Sequence, residues 1–339
     1  MLSQSLRRKL TNNKIVFQES LRNIFKPPKM MLKMYFLIIL ILDLWALLFK
    51  IFYATIIALY RIFRPPPLKD LTSEVAMVVG AGQGIGREMA IHLCKLHVKV
   101  ACIDINKDDC NTTVQLALSQ LIGIARVYIC NITDENEVAR VVNAIQVDLG
   151  DVTMLFHCCS IPSPKVLCMG HQPVPKIKHT INRTILSHFW LLDKVLPSMA
   201  RAGRGHIVVL SSVAGLFHTT PGRSRIPLSA AQFAVQGLAK SIHTEARHSN
   251  TNITVTLVHV YPFIVGAEVK RDIRFRIPSF FGTVSAKEAA KQILDGVRRN
   301  YLEFSVPGYI FYLSNISRIF PKEVLFLVRD FLDTGVDFG

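Results

Sequence analysis

Gly80-Ala81-Gly82-Gln83-Gly84-Ile85-Gly86 follows the apolar run Val75 to Val79 and precedes a helix-patterned segment from Arg87 to Leu96. Strand, glycine-rich turn and helix in that order suit an anion. The glycines let the backbone turn tightly and approach a pyrophosphate, and the helix start offers unpaired amides to its charge. Gly80, Gly84, Ile85 and Gly86 are therefore the expected cofactor-binding positions. Asp104 ends the next apolar run, where a carboxylate would accept hydrogen bonds from an adenine-ribose diol and repel a 2′-phosphate. That favours NAD over NADP. Without a ligand, Asp104 reads as a helix N-cap or a solvated loop residue. The seven cysteines, Cys94 to Cys168, contain no CxxC pair and stand beside no second cluster of metal ligands, so no metal site is expected. They read as free thiols facing a reduced compartment, and the five Asn-X-Ser/Thr sequons as chance matches.

These residues need a frame. Apolar runs at Val75 to Val79, Val98 to Ile103, Ala125 to Cys130, Val152 to Cys158, His206 to Leu210 and Ile253 to Val260 have the length and β-branched content of buried strands. Between them lie helix-patterned stretches such as Arg87 to Leu96, Glu135 to Leu149, Ile181 to Met199 and Ser229 to Ser249. Repeated β-α units at this spacing predict an α/β fold, a Rossmann-type doubly wound parallel sheet.

Ahead of it runs Tyr35 to Phe63, 29 predominantly apolar residues, about what roughly 30 Å of hydrocarbon requires. The expected organisation is a basic segment over 1–34, an N-terminal membrane helix over 35–63, a proline-rich linker over 64–71 and the α/β domain over 72–339. Asp43 and Lys50 interrupt the run, and basic residues flank both ends, so a spanning helix, a hairpin and an interfacial helix all remain open. Eight basic residues precede the run and no small-residue cleavage site closes it, which argues against a cleavable signal. The net charge of +16 would suggest a nucleic-acid partner, but residues 1 to 69 hold twelve basic and two acidic side chains. The excess flanks the membrane segment, and no nucleic acid is expected.

With VVGAGQGIGRE, CIDIN, INRTILSHFWLLDKVLPSM and GHIVVLSSVAGLF in place, the chain resembles the short-chain dehydrogenase/reductase family over about residues 72 to 330. The likeness is to its membrane-associated retinol and 17β-hydroxysteroid dehydrogenase branch. The resemblance implies hydride transfer between NAD and a lipid alcohol such as a retinoid or steroid, an apolar substrate, an endoplasmic-reticulum or lipid-droplet membrane with the domain facing the cytosol, and a homodimer through the helices near Ile181 and Ser229. It also implies a tetrad: a tyrosine that moves the hydroxyl proton, a lysine that lowers the tyrosine pKa and holds the nicotinamide ribose, a serine that orients substrate and an asparagine that holds a relay water. Ser212 and Asn182 match the last two as catalytic positions.

The tyrosine and lysine are replaced. Aligned with three extra residues in the preceding loop, their positions fall on Leu228 and Gln232; without that insertion they fall on Arg225 and Ser229. Leu228 exchanges no proton, and Gln232 could hydrogen-bond ribose but supplies no positive charge. Other supporting contacts change as well. Val79 replaces the threonine before the first glycine, Asn131 the adenine-contacting aspartate, and His157-Cys158-Cys159-Ser160 the NNAG turn, while Pro262 is kept without the threonine that follows it in the family. The expectation is a catalytically impaired oxidoreductase. The alternatives are a site rewired through His157, His218, Arg223, Arg225 or Tyr261, and a non-catalytic protein that binds lipid, nucleotide or a partner. Cys158 and Cys159 read as packed thiols, and Tyr301 to Phe331 as substrate-lid helices.

Overall fold

The computed structural model describes residues 29–119, 123–159, 174–212, 226–249, 251–260, 284–317, 319–321 and 323–324. The chain divides into two units, Met1–Pro66 and Pro67–Gly339. The first contains α1 (Lys29–Phe63), 35 residues and therefore about 52 Å long at 1.5 Å per residue. From Met30 it is apolar and long enough to cross a membrane, with mean hydropathy 2.3, and none of that window is buried. It begins six residues before the run read from sequence, because Lys29 to Met34 contains no helix breaker. Arg64 ends it, ahead of three prolines whose rings disfavour helix in the preceding residue.

The second unit is an all-parallel sheet flanked by helices. Along the chain it runs β1 (Val75–Val79), α2 (Gly84–Lys95), β2 (Lys99–Asp104), α3 (Lys107–Leu118), β3 (Ile124–Ile129), α4 (Glu135–Leu149) and β4 (Met154–His157). Then come α5 (Val174–Ile181), a π-turn (Asn182–Leu186), α6 (Ser187–Ala202), β5 (Gly205–Ser212), α7 (Ile226–His248), β6 (Ile253–Val260), α8 (Ala286–Arg298), β7 (Glu303–Val306) and α9 (Tyr309–Ser317). The strand order β3-β2-β1-β4-β5-β6-β7 reverses between β1 and β4, the switch point at which α/β sheets open a crevice. Every residue of β1 and of β4 is buried, as helices on both faces require. One apolar layer gathers Met89, Leu93, Cys110, Ala117, Ile293 and Leu294 from α2, α3 and α8. The other gathers Val138, Ile145, Leu191, Val195 and Val235 from α4, α6 and α7.

Two expectations are corrected. The helix expected to run unbroken from Ile181 to Met199 starts at Val174 and is interrupted by the π-turn, in which the Ser187 amide donates to the Asn182 carbonyl five residues back. The inserted residue leaves no mark in the apolar periodicity. Tyr301 to Phe331 is not helical throughout, since Glu303–Val306 pairs with β6 from Leu257↔Glu303 to Val260↔Val306. Four residues carry too short a pattern to announce a strand, and the edge of β6 supplies the hydrogen-bond partners that make one.

Candidate functional site

The glycine turn lies over the end of β1. Gly80 has φ +84° and Gly84 φ +59°, values that favour glycine. The amides of Gly80 and Ala81 both donate to the Ile103 carbonyl, at 2.8 and 3.0 Å, closing the turn onto β2. At Gly86 a Cβ would run into the Gly80 carbonyl, so the helix can start this close to the strand only with hydrogen there. At Gly84 a Cβ would meet nothing within 4 Å. Gln83, at the N-cap, makes no side-chain bond to the helix start, and among the described residues nothing caps the first α2 amides beside that open space. Room and unmet donors fit a pyrophosphate. Ile85 is half-buried against the core and holds the first turn of α2 down.

Three side chains that the sequence did not single out brace this turn. Thr113 Oγ1 on α3 donates to the Ala81 carbonyl at 2.8 Å. Arg87 bonds the Gly82 carbonyl, donates from Nε to Thr113 Oγ1 at 3.1 Å, and lies 3.4 Å from Asp109. Arg87 stands in the motif, but Asp109 and Thr113, one helical turn apart on α3, meet it only through packing. Asp104 ends β2 beside the turn. Its Oδ2 accepts from Gly82 N at 2.8 Å and its Oδ1 from Asn106 N at 3.0 Å. The N-cap of α3 is Asn106, so the capping alternative for Asp104 does not hold.

Asn131 follows β3, two residues past the Asp104↔Ile129 pair. Its Oδ1 accepts from Thr133 N at 3.2 Å and Thr133 Oγ1 at 2.8 Å, so the side-chain oxygen is turned into its own loop.

On the other side of the switch point, β5 ends at Ser212, fully buried, and Asn182 opens the π-turn half-buried. Gln232 on α7 is fully buried, and its Oε1 accepts from Ser212 N at 2.8 Å and Ser211 Oγ at 3.0 Å. The side chain thus ties α7 to the end of β5. Leu228, one turn earlier, is buried in the same apolar layer as Leu210 and Val260, at the ends of β5 and β6. In the alternative register Ser229 is half-buried on α7, while Arg225 lies outside the described residues, as do Ser160, His218, Arg223, Tyr261 and Pro262.

His157 ends β4 wholly enclosed. Its Nε2 lies 2.8 Å from Ser187 Oγ, and its ring stacks on His188 at 3.7 Å. Burial, with the neighbouring His188 next in weight, holds the His157 pKa well below its ordinary value. Burial likewise brings His188 down to about 4. Both rings are neutral at physiological pH, and His157 is a buried ring packed between strand and helix. Cys158 donates its amide to the Val79 carbonyl at 2.9 Å. Cys159 Sγ sits against Gly80, and burial pushes that thiol up to about 12. These are packed thiols rather than nucleophiles. Among the described residues no group of three His, Cys, Asp or Glu could hold a metal ion.

The short chain dehydrogenase family model matches residues 74–276, more than half of the chain and the whole span from the glycine turn past β6. The chain belongs to the short-chain dehydrogenase family. Within it, mouse epidermal retinol dehydrogenase 2 is 27% identical over 269 residues, covering 78% of this chain and 84% of that one. Human 17-beta-hydroxysteroid dehydrogenase 13 is 27% identical over 285 residues, covering 84% and 91%. Among solved structures, a short-chain dehydrogenase/reductase from Burkholderia phymatum in complex with NAD superposes with TM-score 0.61 at 15% identity, over 73% of this chain and 93% of that one. A hydroxysteroid dehydrogenase from Escherichia coli gives 0.57 at 21%, over 70% and 96%. The chain is thus a divergent short-chain dehydrogenase, similar to the retinol and hydroxysteroid dehydrogenases of the family.

Proposed function

We propose that this short-chain dehydrogenase is anchored by α1 in an endoplasmic-reticulum or lipid-droplet membrane with its domain in the cytosol, binds NAD in preference to NADP, and descends from an enzyme acting on a lipid alcohol of the retinoid or steroid kind. Its turnover is impaired, and binding of nucleotide and apolar ligand is what persists. The relatives' names support the substrate class, the free cysteines a reducing compartment, and the exposed Phe189 and Phe233 on α6 and α7 a homodimer through those helices.

When bound, the nicotinamide cofactor supplies the hydride acceptor. Gly84 leaves room for its pyrophosphate, Gly86 lets α2 start hard against the turn, the α2 amides bind that charge, and Asp104 takes the adenine ribose while opposing a 2′-phosphate. Ser212, at the end of β5, would orient a hydroxyl, and Asn182, at the start of the π-turn, would hold a relay water. Oxidising an alcohol also requires the hydroxyl proton to leave, and here the chain falls short. Leu228 has no proton acceptor. The oxygen of Gln232 is committed to Ser212 N and Ser211 Oγ, and its amide brings no charge that could create an acceptor nearby. This commitment of Gln232 is the observation that carries the reading.

The test is NADH binding to the full chain in detergent, beside oxidation of all-trans-retinol and estradiol with NAD. Binding is expected without measurable turnover. Leu228→Tyr combined with Gln232→Lys should recover part of the 10²- to 10⁴-fold, in round orders of magnitude, that a placed proton carrier contributes. Robust wild-type turnover that survives Ser212→Ala would overturn the reading.

A further inference from the structure

The binding site has a second end, where the base would lie, and there one amide stands reversed. If the pyrophosphate crosses the turn above β1 and the ribose meets Asp104 at the end of β2, the base continues outward over the end of β3. The next side chain in that direction is Asn131, since Asp104 pairs with Ile129 and the Cys130 amide donates to the Asp104 carbonyl at 3.1 Å. The orientation of its amide is settled by its neighbours. Thr133 N is a backbone amide and can only donate, so the atom 3.2 Å from it must be the oxygen. Thr133 Oγ1 donates to the same oxygen at 2.8 Å, which occupies both lone pairs. The backbone of Asn131 is also engaged, its amide with Glu137 Oε2 at 2.8 Å and its carbonyl with Asp134 N at 3.0 Å. Among the described residues only Nδ2 is without a partner.

A carboxylate here could close the same turn with one oxygen and keep the other as an acceptor for the 6-amino group of adenine. Asparagine has a donor in that place. An amide N–H facing an amino N–H makes no bond, whereas a 6-oxo group accepts one. We infer that Asn131 removes the site's selection for a 6-aminopurine, so that a dinucleotide carrying a 6-oxopurine binds no more weakly than the adenine form. The inference rests on the cofactor reading above and names the residue that sets base preference within it.

Calorimetric titration of the full chain in detergent with NADH and with reduced nicotinamide hypoxanthine dinucleotide tests it. The two molecules differ only at the base. The expected wild-type result is equal affinity or tighter binding of the hypoxanthine form. Asn131→Asp keeps the turn closed and should move the ratio toward adenine by about threefold to tenfold, the usual worth of one hydrogen bond. A wild-type preference of tenfold or more for NADH, or a ratio unmoved by Asn131→Asp, overturns the inference while leaving the cofactor reading in place. Failure of both dinucleotides to bind at millimolar concentration overturns the cofactor reading itself, and this inference with it.

Discussion

Gln232, which the family resemblance sets at the lysine position when three loop residues are taken as inserted, has structural work here. Gln232 Oε1 holds two donors at the end of β5, where Ser211 and Ser212 are both fully buried. Gln232→Leu keeps the volume and removes the acceptor. Leaving a buried donor unsatisfied costs roughly 1 to 3 kcal/mol, so the variant should melt several degrees lower. A melting temperature within one degree of wild type would show that the two donors find other acceptors. The same reasoning bears on restoring chemistry. Lysine at 232 would lose these two contacts while gaining a charge, so a rescued enzyme should be less stable than its parent. The positions around Asp104 behave differently, because Gly82 and Asn106 supply backbone donors that any carboxylate there would take.

At the scale of elements, α1 is the piece that nothing among the described residues of its own unit covers. Its side chains are exposed nearly throughout, including Trp45, Phe49 and Phe63. An apolar surface of this extent is not left in water. Thr55 returns its hydroxyl to the Ile51 carbonyl at 2.8 Å, which hides its polar group along the helix. Removing residues 1–66 should therefore move the protein from an alkali-resistant membrane pellet to the soluble fraction. Continued pelleting of the shortened chain would assign the anchor to the domain. The π-turn is a second element with consequence, since its extra residue sets the register of α6 and with it the meeting of Ser187 and His188 with His157.

Across the whole domain, buried histidines tie stability to pH. His157, His188 and His206 are enclosed within the sheet and the helices that cover it. Burial lowers His188 to about 4 and His206 to about 3, and carries His157 in the same direction. In the unfolded chain each ring takes up a proton near its ordinary value of about 6.5. Below that value the unfolded state binds more protons than the fold, so stability is complete above about pH 6.5 and is lost progressively as pH falls toward the folded values. The loss should be on the order of 2 kcal/mol per ring by pH 5. Melting temperatures of the full chain in detergent should be flat from pH 8 to 7 and drop steeply from 6.5 to 5, with His188→Phe reducing the slope. A decline confined to below pH 4.5 would assign acid sensitivity to carboxylates instead.

Much of this was written in contiguous residues. The glycine turn, Asp104 at a strand end, the alternation of strands and helices, the apolar helix and the missing tyrosine and lysine each depend on neighbours in the chain. A positive φ, a hydrophobic period or a side chain without a proton is a local requirement, and local requirements are visible in one dimension. β4, two residues longer in the sequence reading at its start, and β6, matched from Ile253 to Val260, show how closely periodicity alone sets strand bounds. What Gln232 binds, which way the Asn131 amide faces, where α6 slips by one residue and that Glu303–Val306 joins the sheet were decided only in three dimensions. Gln232 and Ser212 are 20 residues apart, and Arg87 and Thr113 are 26 apart. Their contacts exist because helices settle on a sheet at distances and angles governed by the whole packed core, which no short stretch of sequence contains.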